Sequence, residues 1–213
     1  MTDTTSAPDL LGIRLAHRAM IADAARFSAL SADIAAGRVE CGPKRAAAIA
    51  GYLRQLCDSI HHHHDTEDTV LWPTLTRAAG DAVDLRELSD DHAQLEPLLA
   101  RVRTGCDELV AGDATALAAA TARLHEVLAE HIADEERTLF PIITAYVSAQ
   151  AWDEVEAAAR GGSKASFDLP RMMTVSTPDE LARMTAEGGL PLRMMLKVFG
   201  AAHRRRERVI TGR

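Results

Sequence analysis

Eleven consecutive residues recur in altered form 68 positions later, and this recurrence constrains the fold more than any other feature of the chain. His63, Glu67-Asp68 and Leu71-Trp72-Pro73 fall on His131, Glu135-Glu136 and Leu139-Phe140-Pro141. The same offset carries Leu56 onto Leu124 and Ile60 onto Leu128. A fainter match at an offset of 75 sets Leu10, Ile13, His17 and Met20 on Leu85, Leu88, His92 and Leu95. Apolar positions in each copy return every three or four residues, the period of a helix face rather than of a strand. Two similar helical hairpins packed against each other satisfy both offsets and bring equivalent histidines together.

Only 4% of the residues are aromatic and alanine is abundant, which favours closely packed helices, alanine being the best helix former. Pro8 can occupy the first turn of a helix ending near Gly37, and Pro43 opens a second that runs to about Ala78. Gly80 breaks it, and Asp81 is placed to cap a third helix to about Val110, kinked at Pro97. Gly112 and Asp113 turn the chain into a fourth helix ending near Ala149, with Pro73 and Pro141 bending helices 2 and 4 at matching places. Short connections make an all-α, up-down-up-down four-helix bundle over residues 8–149. Residues 150–213 form a helical C-terminal extension with a basic end. Within it Trp152 to Arg160 extends the fourth helix or forms a short fifth one, the stretch from Gly161 to Val175 reads as loop, Ser176 or Thr177 caps a short helix through Pro178 and Glu180, and Leu190 to about Ile210 is the last helix.

His17, His92 and His131 lie inside apolar stripes, where a lone histidine is usually an ordinary core residue. Their company changes the reading. Glu67 and Glu135 follow His63 and His131 by one turn on the same face, and at about 100° per residue each lies within roughly 20° of an apolar core position, Ile60 or Leu128. Buried carboxylates are costly unless paired, hydrogen-bonded or bound to metal. Two of them among four imidazoles suit a pair of cations, the mixed N/O set fitting iron or manganese and accepting zinc. No cysteine joins the set, which disfavours a structural zinc site. Glu96, four residues after His92, leans toward the core opposite Ile21 and is expected to add a ligand to one metal only. His61 and His62 project away from the stripe. His64 with Asp68 forms a second i,i+4 pair, but the repeat aligns position 64 with Ile132, so His63 is the expected ligand. His125 reads as surface.

A formal net charge of −7 argues against nucleic-acid binding by the whole protein. No apolar run is long enough for a transmembrane segment, and the polar N-terminus shows no secretion signal. Cys41, Cys57 and Cys106 form no close-spaced motif, and an odd count without such a signal fits a reducing cytoplasm.

The order His17, His63-x3-Glu67, His92, His131-x3-Glu135 across four helices resembles the hemerythrin-like, or HHE cation-binding, domain, over roughly residues 10–147. That resemblance implies two non-haem irons, oxo- or hydroxo-bridged, with Glu67 and Glu135 as bridging carboxylates. It gives His17 and His63 to one iron and His92 and His131 to the other. Oxygen-carrying members have five histidines, the extra one at the place of Glu96 here. Their last carboxylate is an aspartate five residues after its histidine, against Glu135 four after His131. An added anion at Glu96 is expected to weaken reversible oxygen storage and to bring the chain closer to bacterial members. The function implied is reaction with O2, peroxide or nitric oxide, including peroxide decomposition. The alternative is an iron or oxygen sensor with a protein partner on the C-terminal extension. Tyr52 and Tyr146 are candidates for redox or hydrogen-bonding groups near the site.

Overall fold

The computed structural model of the protein describes residues 7–80 and 83–212, and its regular elements are all helical. Four long segments make the bundle: α1 (Leu11–Ala35), α2 (Pro43–Thr66), α4 (Arg86–Ala111) and α5 (Thr115–Tyr146). A single π-helical turn, Glu67–Leu71, continues α2 into the short α3 (Trp72–Ala79). Four further helices follow: α6 (Ala149–Gly162), α7 (Ala165–Val175), α8 (Pro178–Glu187) and α9 (Gly189–Thr211).

Most expected boundaries hold to within a few residues, and the departures have local causes. Helix α1 begins after Pro8, at Leu11, where the Asp9 carboxylate accepts the Leu11 N–H at 3.0 Å. The expected cap at Asp81 lies outside the described residues. The third long helix begins at Arg86, whose N–H donates to Asp84 Oδ1 at 3.1 Å. Helices α4 and α5 run through Pro97 and Pro141. The expected loop between Gly161 and Val175 is mostly helix α7, a correction explained by Phe167 and Arg171, whose burial stabilises helix across that stretch. The Thr177–Glu180 capping box with Pro178 in the first turn forms as expected.

Helix α5 packs on both α1 and α4, and α4 packs on α2. The α4–α5 approach is close at Gly105, where a Cβ would stand 2.7 Å from the Leu117 Cα. Helices α1 and α2 touch each other little, because α7 and α9 lie against them on that side. Burial divides into two apolar clusters. One holds Met20, Phe27, Leu53, Ile60, Leu95 and Leu128, joined by Phe167 and Ile210 from the last helices. The other holds Leu10, Leu71, Trp72, Leu88 and Leu139, joined by Trp152 and Val155 of α6. Along each bundle helix a polar layer falls between the two: His17, His63 to Glu67, His92, and His131 to Glu135.

A buried polar network fastens the last helices to the bundle. Arg171 of α7, 4% exposed, donates from Nε to Asp23 Oδ2 at 2.5 Å and from Nη1 to Asp168 at 2.8 Å. The Tyr52 hydroxyl donates to the same Asp23 carboxylate at 3.0 Å, and the Arg206 guanidinium lies 4.4 Å from the Tyr52 ring centroid. Burial and the Asp23 charge push the Tyr52 hydroxyl far above its usual range, so it stays a neutral donor. Removing one partner of such a pair strands the other charge. Arg171→Met is expected to cost about 3 kcal/mol in chemical denaturation, the low end of the range for a broken buried pair, because Arg26 still reaches Asp23 at 2.7 Å. An unchanged midpoint would show that the network contributes nothing.

Candidate metal centre

Each bundle helix delivers its polar residues to the same level by helical spacing. Helices α1 and α4 bring one histidine apiece, His17 and His92, both buried. Helix α2 brings His63 and His64 and passes at once into the π turn that begins with Glu67. Helix α5 brings His131 and, one turn on, Glu135. Two groups able to hold a metal ion result: His17, His63, Glu67 and Glu135; and His64, Glu67, His92 and His131. Within each group the ligand atoms lie within 4.8 Å of one another.

Glu67 belongs to both groups, and its two oxygens face opposite ways. Oε1 is 3.0 Å from His63 Nε2, and Oε2 is 3.5 Å from His92 Nε2. Glu135 Oε2 stands between His17 Nε2 at 3.6 Å and His131 Nε2 at 3.8 Å. The His17 and His63 Nε2 atoms converge at 2.9 Å. Among the described residues, both oxygens of Glu67 and of Glu135, both ring nitrogens of His64 and His131, and Nε2 of His92 are buried without a hydrogen-bond partner. Buried polar atoms are nearly always paired, and so many unpaired in one place call for a further partner. Two cations, each taking oxygen and imidazole nitrogen, would satisfy them together, so the donor set fits the metal pair that the spacing implied.

Electrostatics agree. Burial pushes both Glu67 and Glu135 above the ordinary carboxylate range, Glu67 adding its charge at Glu135 and Asp68 adding its own at Glu67. Burial, followed by repulsion from His92, His63 and His17, pushes His131 down to about 3. His64 is driven well below its usual value by burial and by His63, His92 and His131. Burial thus favours the neutral form of His63, His64, His92 and His131, the form that ligates.

Six of the seven residues singled out in the sequence meet here; Glu96 does not. It is half-exposed on the flank of α4, its Oε1 2.6 Å from Nδ1 of the exposed His61. The inequality expected from Glu96 opposite Ile21 is therefore corrected. His64, set aside by the repeat, is 3% exposed and stacks on His92 with ring centroids 4.3 Å apart. Adjacent residues on a helix point about 100° apart, and α2 faces α1 with His63 and α4 with His64. The repeat misled because its other copy needs only one imidazole there. Tyr52 belongs to the Asp23 network and Tyr146 is exposed. His64→Ala is expected to strip metal from the three-imidazole group, and Glu96→Ala to leave metal content unchanged, as read by metal analysis of the purified variants. The reverse pattern would restore Glu96 as the ligand.

Comparison with curated proteins and with solved structures finds no match to the chain. The model of the hemerythrin HHE cation-binding domain matches residues 12–143, with every member of both groups inside it, and the chain belongs to that family.

Proposed function

We propose that the paired groups hold two non-haem irons with Glu67 and Glu135 bridging them, and that this centre binds or reacts with O2, peroxide or nitric oxide. The observation that carries the reading is the unequal pair built around one shared carboxylate: three imidazoles on the His92 side, two on the His17 side. An iron pair supplies redox chemistry and an open position for a small ligand. That position would lie on the side held by fewer imidazoles, His17 and His63. A surface hollow of about 590 Å³, lined by Arg14, Glu136, Arg137 and Phe140, adjoins that side. The Phe140 ring separates it from His17, with centroids 6.2 Å apart and planes nearly parallel.

The added ligand being the neutral His64, a fifth imidazole, rather than the anionic Glu96 weakens the argument against reversible oxygen binding, so O2 and nitric oxide stand beside peroxide as ligands. A reducing cytoplasmic setting is part of this reading, in keeping with free Cys41, Cys57 and Cys106. Among the described residues no helix is long and apolar enough to cross a membrane. A second reading, a sensor signalling through the C-terminal helices, is favoured by Leu190, Met194 and Val198, exposed one turn apart along α9.

The deciding experiment loads the protein anaerobically with ferrous iron, then adds O2 or peroxide. Two irons per chain, near-ultraviolet oxo-bridge bands and evolution of O2 from peroxide, lost in His131→Ala, support the enzyme. Bands that reverse on deoxygenation support binding without turnover. Fewer than two metals per chain would sink the reading.

A further inference from the structure

The acidic residue that follows each buried glutamate, Glu67 or Glu135, has no role in the two groups, yet both copies keep one, Asp68 and Glu136. Each reaches across to a different helix. Asp68, next to Glu67, places Oδ1 3.0 Å from Nδ1 of His92 on α4. Glu136, next to Glu135, places Oε1 2.9 Å from Nδ1 of His17 on α1. The other contacts of the group are weaker: Asp91 Oδ2 is 3.6 Å from His131 Nδ1, and among the described residues neither nitrogen of His64 has a hydrogen-bond partner.

The pattern has a physical logic. His63 and His131 each share a helix with a carboxylate one turn away, Glu67 or Glu135, so their own backbone aligns them. His17 and His92 arrive alone on helices that carry no group carboxylate. Nothing on α1 or α4 sets the rotation of their rings or decides which nitrogen carries the proton. A carboxylate on Nδ1 does both, leaving the Nε2 lone pair directed inward.

Resting on the two-metal reading above, we propose that Asp68 and Glu136 are positioning residues. Each orients the lone histidine of a neighbouring helix, so that Asp68 governs metal held by the His64–His92–His131 group and Glu136 metal held by the His17–His63 group. The doublets Glu67-Asp68 and Glu135-Glu136 then act as units, the first residue facing the metals and the second an imidazole across the helix interface.

Cobalt(II) titration of the full chain, followed by its visible bands and by competition with a chromophoric chelator, tests this. Wild type is expected to take two cobalt ions. Asp68→Ala and Glu136→Ala should each weaken one of the two by about 10- to 100-fold, the usual effect of removing a carboxylate behind a metal-bound imidazole. Asp68→Asn and Glu136→Gln, whose amide oxygens still accept from Nδ1, should recover much of that affinity with shifted bands. Both side chains are partly exposed, so melting of the metal-free variants should match wild type and exclude a folding defect. Two sites of wild-type affinity in both alanine variants would overturn the positioning role and leave the two-metal reading standing. Fewer than two cobalt sites in wild type would overturn both.

Discussion

Replacing Glu67 and Glu135 together by methionine is expected to abolish binding of both metals and, in the metal-free protein, to raise stability. The opposite signs have one cause. All four carboxylate oxygens are buried without hydrogen-bond partners in the protein layer, between apolar clusters on either side. Without metal each carboxyl either carries a proton above the ordinary carboxylate range or pays desolvation for its charge. Methionine has a similar reach and no charge to desolvate, and exchanging buried charged groups for apolar ones commonly stabilises by about 1–4 kcal/mol. Denaturation in chelator at pH 8 measures the gain, and metal analysis measures the loss. A double variant that keeps its metal would remove both buried glutamates from the centre. One that loses metal and is also markedly less stable without it would show that these carboxylates support the fold.

Melting of the metal-free protein should fall as pH rises from about 7.5 to 8.5, and added metal should remove that decline. The carboxyls have raised pKa values in the folded state, so above the ordinary carboxylate range, near 4.5, the native protein holds protons that the unfolded chain has released. The unfolded state then binds fewer protons, and stability drops with pH until the folded carboxyls titrate. The histidines act the other way. Folded His131 stays neutral down to about 3 while its unfolded form titrates around 6.5, and burial likewise holds His63, His64, His92 and His203 below their usual value, so the histidines give a gain with pH that is complete only near about pH 7.5. Below about pH 7 the two oppose each other; from about pH 7.5 upward the carboxyls alone act. Each affected carboxyl contributes up to about 1.4 kcal/mol per pH unit, and each kcal/mol is worth about 2–4 °C in a chain of this size. Metal holds the carboxylates ionised, which cancels the slope. A flat or rising profile without metal would contradict the raised carboxyls.

Six of the seven expected residues come from one regularity, the return of His and Glu to an apolar stripe at helical spacing, doubled by the repeat. That regularity is local: a helix of known period places its own residues without reference to neighbours. The errors arose where one residue's role depends on another helix. Glu96 has a helical direction close enough to the core, but α2 offers it His61 at the surface. His64 lies off the centre of its stripe, yet α4 stands where that direction ends, and His92 stacks on it. Asp68 and Glu136 were visible as a repeated acidic position, though what they hold lies on α4 and α1.

The C-terminal region follows the same division. Its capping box at Thr177 and Glu180 is a local code and was legible. Helix α7 was not, because Gly161-Gly162-Ser163 looks like the start of a loop and only Asp23 and Ser59, on distant helices, give Arg171 a reason to be buried. By itself the sequence determined four amphipathic helices, a polar layer at one level, and the chemistry of that layer, since periodicity and the cost of buried charge are properties of a single helix. The tertiary structure alone decided the count of three imidazoles against two, the exclusion of Glu96 and the crosswise carboxylates, because each depends on which neighbour lies within hydrogen-bonding reach of a side chain.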